Sequence, residues 1–96
     1  MELDQLRQMI AIEEAGTMSA AADVLSLSQP ALSRSVQRLE AELGAELFDR
    51  GRNRATMNTL GHVVAERGRA VLEEAQKLRD AVDAECRRAR ALRVGT

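Results

Sequence analysis

The stretch that decides the fold runs from residue 19 to residue 44 and reads SAAADVLSLSQPALSRSVQRLEAELG. It predicts two helices with a short break between them. Ser19 is a suitable N-cap for the first helix, which we expect to run from Ala20 to about Leu25. The second helix opens at Ser28, and Pro30 is tolerated in its first turn because the missing N–H would have no helical partner there.

A stripe of apolar residues follows the second helix at steps of four, three and four residues: Leu32, Val36, Leu39 and Leu43. Gly44 is expected to end this helix. The opposite face is polar, and no acidic side chain precedes Glu40 on it. A short turn at residues 26–28 would set the two helices at a steep angle, so that the second can enter the major groove of DNA. The stretch therefore predicts a helix-turn-helix whose second helix reads DNA.

The flanking segments predict a further helix and a β-hairpin. Gly16 ends a first helix, one face of which is traced by Leu3, Leu6, Ile10 and Ala15, with Met9 beside them. In the helix after it, the side chains expected to face inward are Ala21, Val24 and Leu25. Residues 47–48 and 55–57 predict two short strands around a turn at 51–53. Because a two-stranded hairpin is unstable alone, this one must lean on the helices, with Phe48 as its anchor.

A long helix is predicted to follow, capped by Asn58 and reaching about Arg90. At 1.5 Å per residue it would span roughly 50 Å, too long to pack fully against three short helices. Gly61 and Gly68 each lower its helix propensity by about 1 kcal/mol relative to Ala, so packing must hold its first part. Apolar residues recur along one side and predict a seam that pairs with a second helix: Val64, Val71, Ala75, Leu78, Val82 and Ala89.

Composition excludes several classes of function. The net charge of −1 gives no hint of a nucleic-acid partner, but five of the six Arg among residues 1–57 lie between positions 34 and 54. The single cysteine, Cys86, permits neither an intrachain disulfide nor a metal site of paired cysteines. We find no signal peptide, apolar run of membrane length, phosphate-binding loop or nucleophile–base pair. The chain is predicted to be cytoplasmic, with no catalytic activity, no metal and no cofactor.

The polar face of the second helix supplies candidate contacts to DNA. Gln can pair with adenine, Arg with guanine, and Ser with either kind of base edge. The face comprises Gln29, Pro30, Ser33, Arg34, Gln37 and Arg38. Arg50 is a further candidate, either touching phosphate or pairing with Asp49, Glu46 or Glu42.

The pattern Ser28-Gln29-Pro30-Ala31-Leu32-Ser33-Arg34-x-Val36-x-x-Leu39-Glu40-x-x-Leu43-Gly44-x-x-Leu47-Phe48-x-Arg50 resembles the LysR-type transcriptional regulators, and the resemblance covers essentially the whole chain. It implies a mainly α fold, with a winged helix-turn-helix of three helices and a two-stranded wing at 1–57 and a dimerisation helix at 58–90. Residues 91–96 would then be the stub of an absent domain that binds a small effector, and Arg93-Val94-Gly95-Thr96 resembles its first strand. The expected assembly is a homodimer through the long helix, and a tetramer in the full-length protein.

The same resemblance implies roles for individual residues. Gln29, Pro30, Ser33 and Arg34 would meet double-stranded operator DNA in the major groove, and Arg52 or Arg54 at the wing tip would enter the minor groove. The sequence departs from the family pattern at Met18, where an aromatic residue is common, and at residues 57–61. Two alternatives stay open: a related winged-helix regulator of the molybdate-responsive type, and a dimerisation module that does not bind DNA.

Overall fold

The computed structural model describes residues 1–51 and 55–94 and confirms a mainly helical fold with a small wing. Three helices come first: α1 at Leu3–Ala15, α2 at Met18–Leu25 and α3 at Gln29–Leu43. Two short strands follow, β1 at Phe48–Arg50 and β2 at Ala55–Met57, and the chain continues into the long helix α4 at Thr59–Val94. Among the described residues, none of the helices combines the length and hydrophobicity that a membrane span requires.

The N-terminus of α2 differs from the prediction. Its N-cap is Thr17, whose Oγ1 accepts a hydrogen bond of 3.1 Å from the N–H of Ala20, and Ser19 lies inside the first turn. Thr17 has the extended backbone (φ −138°, ψ 155°) that an N-cap requires, directly after the left-handed Gly16 that ends α1. The helix can therefore begin two residues earlier than Ser19 would allow.

The caps of α3 agree with the sequence. Ser28 Oγ accepts from the N–H of Ala31 at 3.2 Å, Pro30 lies in the first turn, and Gly44 closes the helix with a φ of 67°. The predicted stripe is buried at Leu32, Val36 and Leu39. Leu43 is 43% exposed, because it lies in the last turn, beyond the residues that α3 packs against the core.

Val24 was predicted to face inward and is 73% exposed. The buried residues of α2 are Met18, Ala21 and Ala22, at the spacing of one helical face. At 100° per residue, Val24 lies about 110° from the centre of that face. Three small or flexible side chains thus take the inward positions of this short helix.

The hydrophobic core joins α1, α2, α3 and the start of the wing. Its members are Met9, Ile12, Met18, Ala21, Ala22, Leu32, Val36, Leu39, Leu47 and Phe48. Strands β1 and β2 pair antiparallel, with Phe48 opposite Met57. Phe48 is 1% exposed, which confirms it as the residue that anchors the wing to the helices.

Helix α4 begins against this core and then leaves it. Asn58 caps it as predicted, its Oδ1 accepting from the N–H of Gly61 at 2.9 Å, and the first turns pack on α1 and β2. The helix runs to Val94, past the predicted end at Arg90, so residues 92–94 are helical where the start of a strand was expected. Residues 86–94, CRRARALRV, are rich in the helix formers Arg, Ala and Leu and contain no helix-breaking residue. The protein is consequently elongated, 68 × 25 × 20 Å.

Candidate nucleic-acid interface

A three-residue turn at 26–28 fixes the relation between α2 and α3. Ser26 adopts a left-handed conformation (φ 56°, ψ 40°), the one described non-glycine residue with a positive φ. Its N–H points back to the last turn of α2, 3.2 Å from the carbonyl oxygen of Asp23, and the N–H of Leu27 donates to the carbonyl oxygen of Ala22 at 2.9 Å. These bonds end α2 sharply, so that Ser28 can cap α3 two residues later.

The predicted recognition face of α3 is presented to solvent. Of its six candidates, Ser33 is half-buried and the others are exposed: Gln29, Pro30, Arg34, Gln37 and Arg38. Leu32, Val36 and Leu39 hold the opposite face in the core at 0–2% exposure. Within the part of the chain that the structure describes, Gln29, Arg34, Gln37 and Arg38 make no side-chain hydrogen bond. Their polar groups are therefore available to a partner.

Some of these candidates share an open groove and others do not. The groove, of about 460 Å³, lies between the start of α2, the start of α3 and the wing. Its polar lining includes Thr17, Ser19, Gln29, Ser33, Arg50 and Thr56. Arg38 lies elsewhere, in a hollow that it shares with Gln8 and Arg79. The arrangement brings Gln29, Ser33 and Arg50 to one side of the recognition helix.

Arg50 pairs with a residue that the sequence did not single out. Its Nη2 lies 3.2 Å from Oε1 of Glu40, and not beside the predicted partners Asp49, Glu46 or Glu42. Glu40 is only 12% exposed, and its other carboxylate oxygen accepts from the N–H of Leu47 at 2.7 Å. The Arg50 side chain remains 49% exposed, so the ion pair orients it without removing it from solvent.

The wing tip carries the remaining candidates for DNA contact. The last described pair of the hairpin is Arg50 opposite Ala55. Arg52 and Arg54 lie outside the described residues, and their entry into a minor groove stays a prediction.

The candidate dimer seam on α4 divides into two parts. Val64 is half-buried and packs against the core of its own chain, and its place in the dimer seam stays a prediction. Ala75 is half-buried, while Val71, Leu78, Val82 and Ala89 are exposed; Leu78 is the most open of the large ones at 66%. Leu92, which the seam omitted, is 71% exposed. From Leu78 to Leu92, this apolar side of α4 has no cover from the described part of its own chain.

In the described part of the chain, no three His, Cys, Asp or Glu side chains are grouped so that they could hold a metal ion.

Comparison with known proteins agrees with this geometry. The family described as "Bacterial regulatory helix-turn-helix protein, lysR family" matches residues 3–62. The chain is 44% identical over 81 residues to the "SDS degradation transcriptional activation protein" of Pseudomonas sp. (strain ATCC 19151), covering 84% of this chain and 26% of that protein. It is 45% identical over 78 residues to the "Probable HTH-type transcriptional regulator YhaJ" of Escherichia coli (strain K12), covering 81% of this chain and 26% of that regulator. The chain thus spans about a quarter of the length of these relatives.

Solved structures show the same likeness. The DNA-binding domain in the CbnR_DBD–DNA complex superposes with a TM-score of 0.82 at 41% identity, covering 90% of this chain and 99% of that one. The domain in the BenM_DBD/benA site 1 DNA complex gives a TM-score of 0.79 at 32% identity, covering 90% of this chain and 97% of that one. The sequence left open two kinds of winged-helix regulator, and these matches identify which one it is. The chain belongs to the lysR family of bacterial regulatory helix-turn-helix proteins.

Proposed function

We propose that this chain binds double-stranded operator DNA sequence-specifically as a dimer and thereby regulates transcription. The observation that carries the proposal is the recognition face of α3, where polar and basic side chains stand free in solvent on a helix whose opposite face is locked in the core. Phosphate contacts alone would need only positive charge. A face that mixes Gln, Ser and Arg also suits the donor and acceptor pattern of base edges.

In this proposal, the first half of α3 lies in the major groove. Gln29, Ser33 and Arg34 are placed to meet base edges, and Pro30 can contact a thymine methyl group. Gln37 and Arg38 lie further along the same face. Arg50, held by Glu40 at the edge of the groove, is suited to a phosphate, and Arg52 or Arg54 at the wing tip would reach the minor groove.

The relatives support a DNA ligand. The CbnR and BenM domains were both solved in complexes with DNA, and each superposes on nine-tenths of this chain. The regulators that match in sequence are transcription factors, so we infer no catalytic activity and no cofactor for this chain. Since bacterial operators lie in the cytoplasm, the proposed function also places the protein there.

Dimerisation is proposed to occur through α4. Val71, Leu78 and Val82 form an exposed apolar line, and a second copy of the helix could bury it. We propose a DNA-binding domain at 1–57 and a linker helix from residue 58 to Val94 for this chain, with a further domain in the full-length protein, since the chain spans about a quarter of its relatives' length. A tetramer and a small-molecule effector, bound through that further domain, belong to the full-length protein.

Selection from a pool of random duplex DNA, followed by sequencing at several salt concentrations, tests the proposal. We expect enrichment of a palindromic site. The affinity should fall steeply as the salt concentration rises, because cationic side chains displace counterions from the DNA phosphates on binding. Weak binding with no enriched sequence would contradict specificity within this chain. Absence of binding even at low salt would reject the DNA-binding function and leave a dimerisation module.

A further inference from the structure

One acidic residue of α1 contacts α4 at two points. Glu13 Oε2 lies 2.8 Å from Nδ1 of His62, and Glu13 Oε1 lies 2.7 Å from Nη1 of Arg69. His62 and Arg69 are two helical turns apart on α4, so the carboxylate bridges roughly 10 Å of that helix. Glu14 adds a longer contact of 3.5 Å to Arg69. Among the side chains that the structure describes, at 1–51 and 55–92, no other ion pair joins α4 to the rest of the chain.

The carboxylate is better shielded than its two partners. The Glu13 side chain is 21% exposed, against 57% for His62 and 43% for Arg69. The hydrogen bonds from His62 and Arg69 lower the pKa of Glu13, so the carboxylate is charged at neutral pH. Hydrogen bonds to a charged group are short and directional, and these two lie beside the close approach of Gly68 on α4 to the side chain of Leu6 on α1.

A small change in the orientation of α4 relative to the helix-turn-helix moves the far end of α4 by a large distance. From Arg69 to Val94 the helix extends by about 37 Å. A rotation of about 10° at Arg69 would move the far end of α4 by about 6 Å, more than the 3.4 Å rise of one base pair. In a dimer joined through α4, a displacement of this size would change the distance between the two recognition helices.

We propose that Glu13 is a positioning residue that fixes the angle between α4 and the DNA-binding helices, and so sets the half-site spacing that the dimer accepts. The inference rests on the proposed function, because it needs a dimer that reads two half-sites. Glu13 itself touches no DNA in this scheme. It acts through His62 and Arg69 on the direction of α4.

The test uses the palindrome obtained by selection and compares wild type with Glu13→Gln. Three kinds of duplex are needed: the selected site, a single half-site, and sites whose half-site spacing is changed by one or two base pairs. We expect affinity for the single half-site to stay unchanged. Affinity for the full site should fall by about fivefold or more, and the preference for one spacing should flatten, because simultaneous engagement depends on geometry.

Glu14→Gln is the matched control, since it removes the same charge one residue away and leaves both short contacts in place. It should keep the wild-type spacing profile. Should Glu13→Gln fold poorly, Arg69→Gln removes half of the bridge from an exposed position and should flatten the profile in the same way. An unchanged profile for folded Glu13→Gln overturns the inference. So does an equal loss on single and paired half-sites, which would mark a purely structural role.

A second measurement needs no DNA. A spin label on Ala41→Cys, at the exposed end of α3, in a Cys86→Ser background reports the distance between the two subunits by pulsed dipolar spectroscopy. Glu13→Gln should broaden this distance distribution, and Glu14→Gln should not. A distribution as narrow as that of wild type contradicts the inference. If no palindrome is selected but the distribution broadens, the DNA-binding proposal fails while the positioning role of Glu13 stands.

Discussion

The carboxylate of Glu40 lies 2.7 Å from the backbone N–H of Leu47, near the end of the recognition helix α3 and just before the wing. Leu47 is 1% exposed, so its N–H has no access to water and depends on this acceptor. The second oxygen of the same carboxylate holds Arg50. One side chain of α3 thus fixes both where the wing starts and where its first arginine points.

Replacing Glu40 by Ala should lower the free energy of unfolding by about 1.5–3 kcal/mol, because the buried N–H of Leu47 loses a charged acceptor. Chemical denaturation followed by circular dichroism measures this. Glu42→Ala is the matched control on the same helix. Glu42 is exposed and, within the described residues, its one ion pair is with the N-terminal amine, so its loss should cost less than about 1 kcal/mol. Equal costs for the two variants would refute the role of Glu40.

Gly61→Ala should destabilise the domain, although Ala is the better helix former. A Cβ at this position would lie 2.4 Å from the carbonyl oxygen of Leu47, a backbone atom that cannot move aside cheaply. We expect a net cost of about 1–3 kcal/mol in thermal or chemical unfolding. At Gly68 a Cβ would meet Leu6 at 3.4 Å, so Gly68→Ala should be neutral or stabilising by up to about 1 kcal/mol. A stabilising Gly61→Ala would disprove the close approach of α4 to the wing.

Substitutions at Ser26 test the left-handed backbone conformation of the turn between α2 and α3. Its positive φ is costly for residues with a Cβ and most costly for branched ones. Ser26→Gly should therefore match wild type or exceed it in stability by up to about 1 kcal/mol, whereas Ser26→Val should lose about 1–2 kcal/mol. Thermal melts of the two variants provide the comparison. If Ser26→Val were as stable as Ser26→Gly, a left-handed residue 26 would be ruled out.

The bridge at Glu13 predicts a pH dependence of stability. Its folded pKa lies below the ordinary value of 4.5, so ionised Glu13 stabilises the folded state above that pH. This contribution is lost as the pH falls through the folded pKa. The difference in unfolding free energy between wild type and Glu13→Gln should shrink as the pH falls below about 4.5, where the carboxylate becomes protonated. A difference that grows as the pH falls below that value would reverse the sign and reject the bridge.

The variant Arg34→Ala tests whether Arg34 contacts a DNA base. If Arg34 pairs with guanine, its removal should weaken binding to the selected site by about 1–3 kcal/mol and relax the preference at one base position. Arg88→Ala is the control, because Arg88 is also exposed but lies on α4 and pairs with Glu85. Titrations against the selected site and against random duplex separate the outcomes. Equal losses on both duplexes would make Arg34 a phosphate contact.

Local signals in the sequence predicted much of the fold. Short-range chemistry was enough to predict the caps of α3, the Gly residues that end α1 and α3, and the anchor Phe48. Ser19 was a wrong N-cap because Thr17 offers the same chemistry two residues earlier, and propensity alone does not rank the two. The end of α4 was placed too early because a β-branched Val94 near a Gly resembles the start of a strand.

Contacts between residues that are far apart in the chain could not be predicted from the sequence. Glu40 reaches Leu47 and Arg50 only because the chain turns back after Gly44, and Glu13 reaches His62 across 49 positions. Val64 fits the periodicity of the seam and yet packs inward, because the first turns of α4 lie on α1. Periodicity identifies an apolar face, whereas the rest of the fold decides which part of that face is already occupied.

Helix α4 combines two folding regimes in one continuous element. Up to about Leu72 the helix packs against the rest of its own chain, so we expect these backbone hydrogen bonds to be the better protected ones in α4. From Glu73 to Leu92 every side chain except Ala75 is exposed, and most helical stability in proteins comes from packing of an apolar face. The order of that half is thus tied to whatever covers it, and under the proposed pairing the cover is another chain. Under that pairing, we expect the first half of α4 to fold in a unimolecular reaction and the second half in a bimolecular one, so that protein concentration governs only the second.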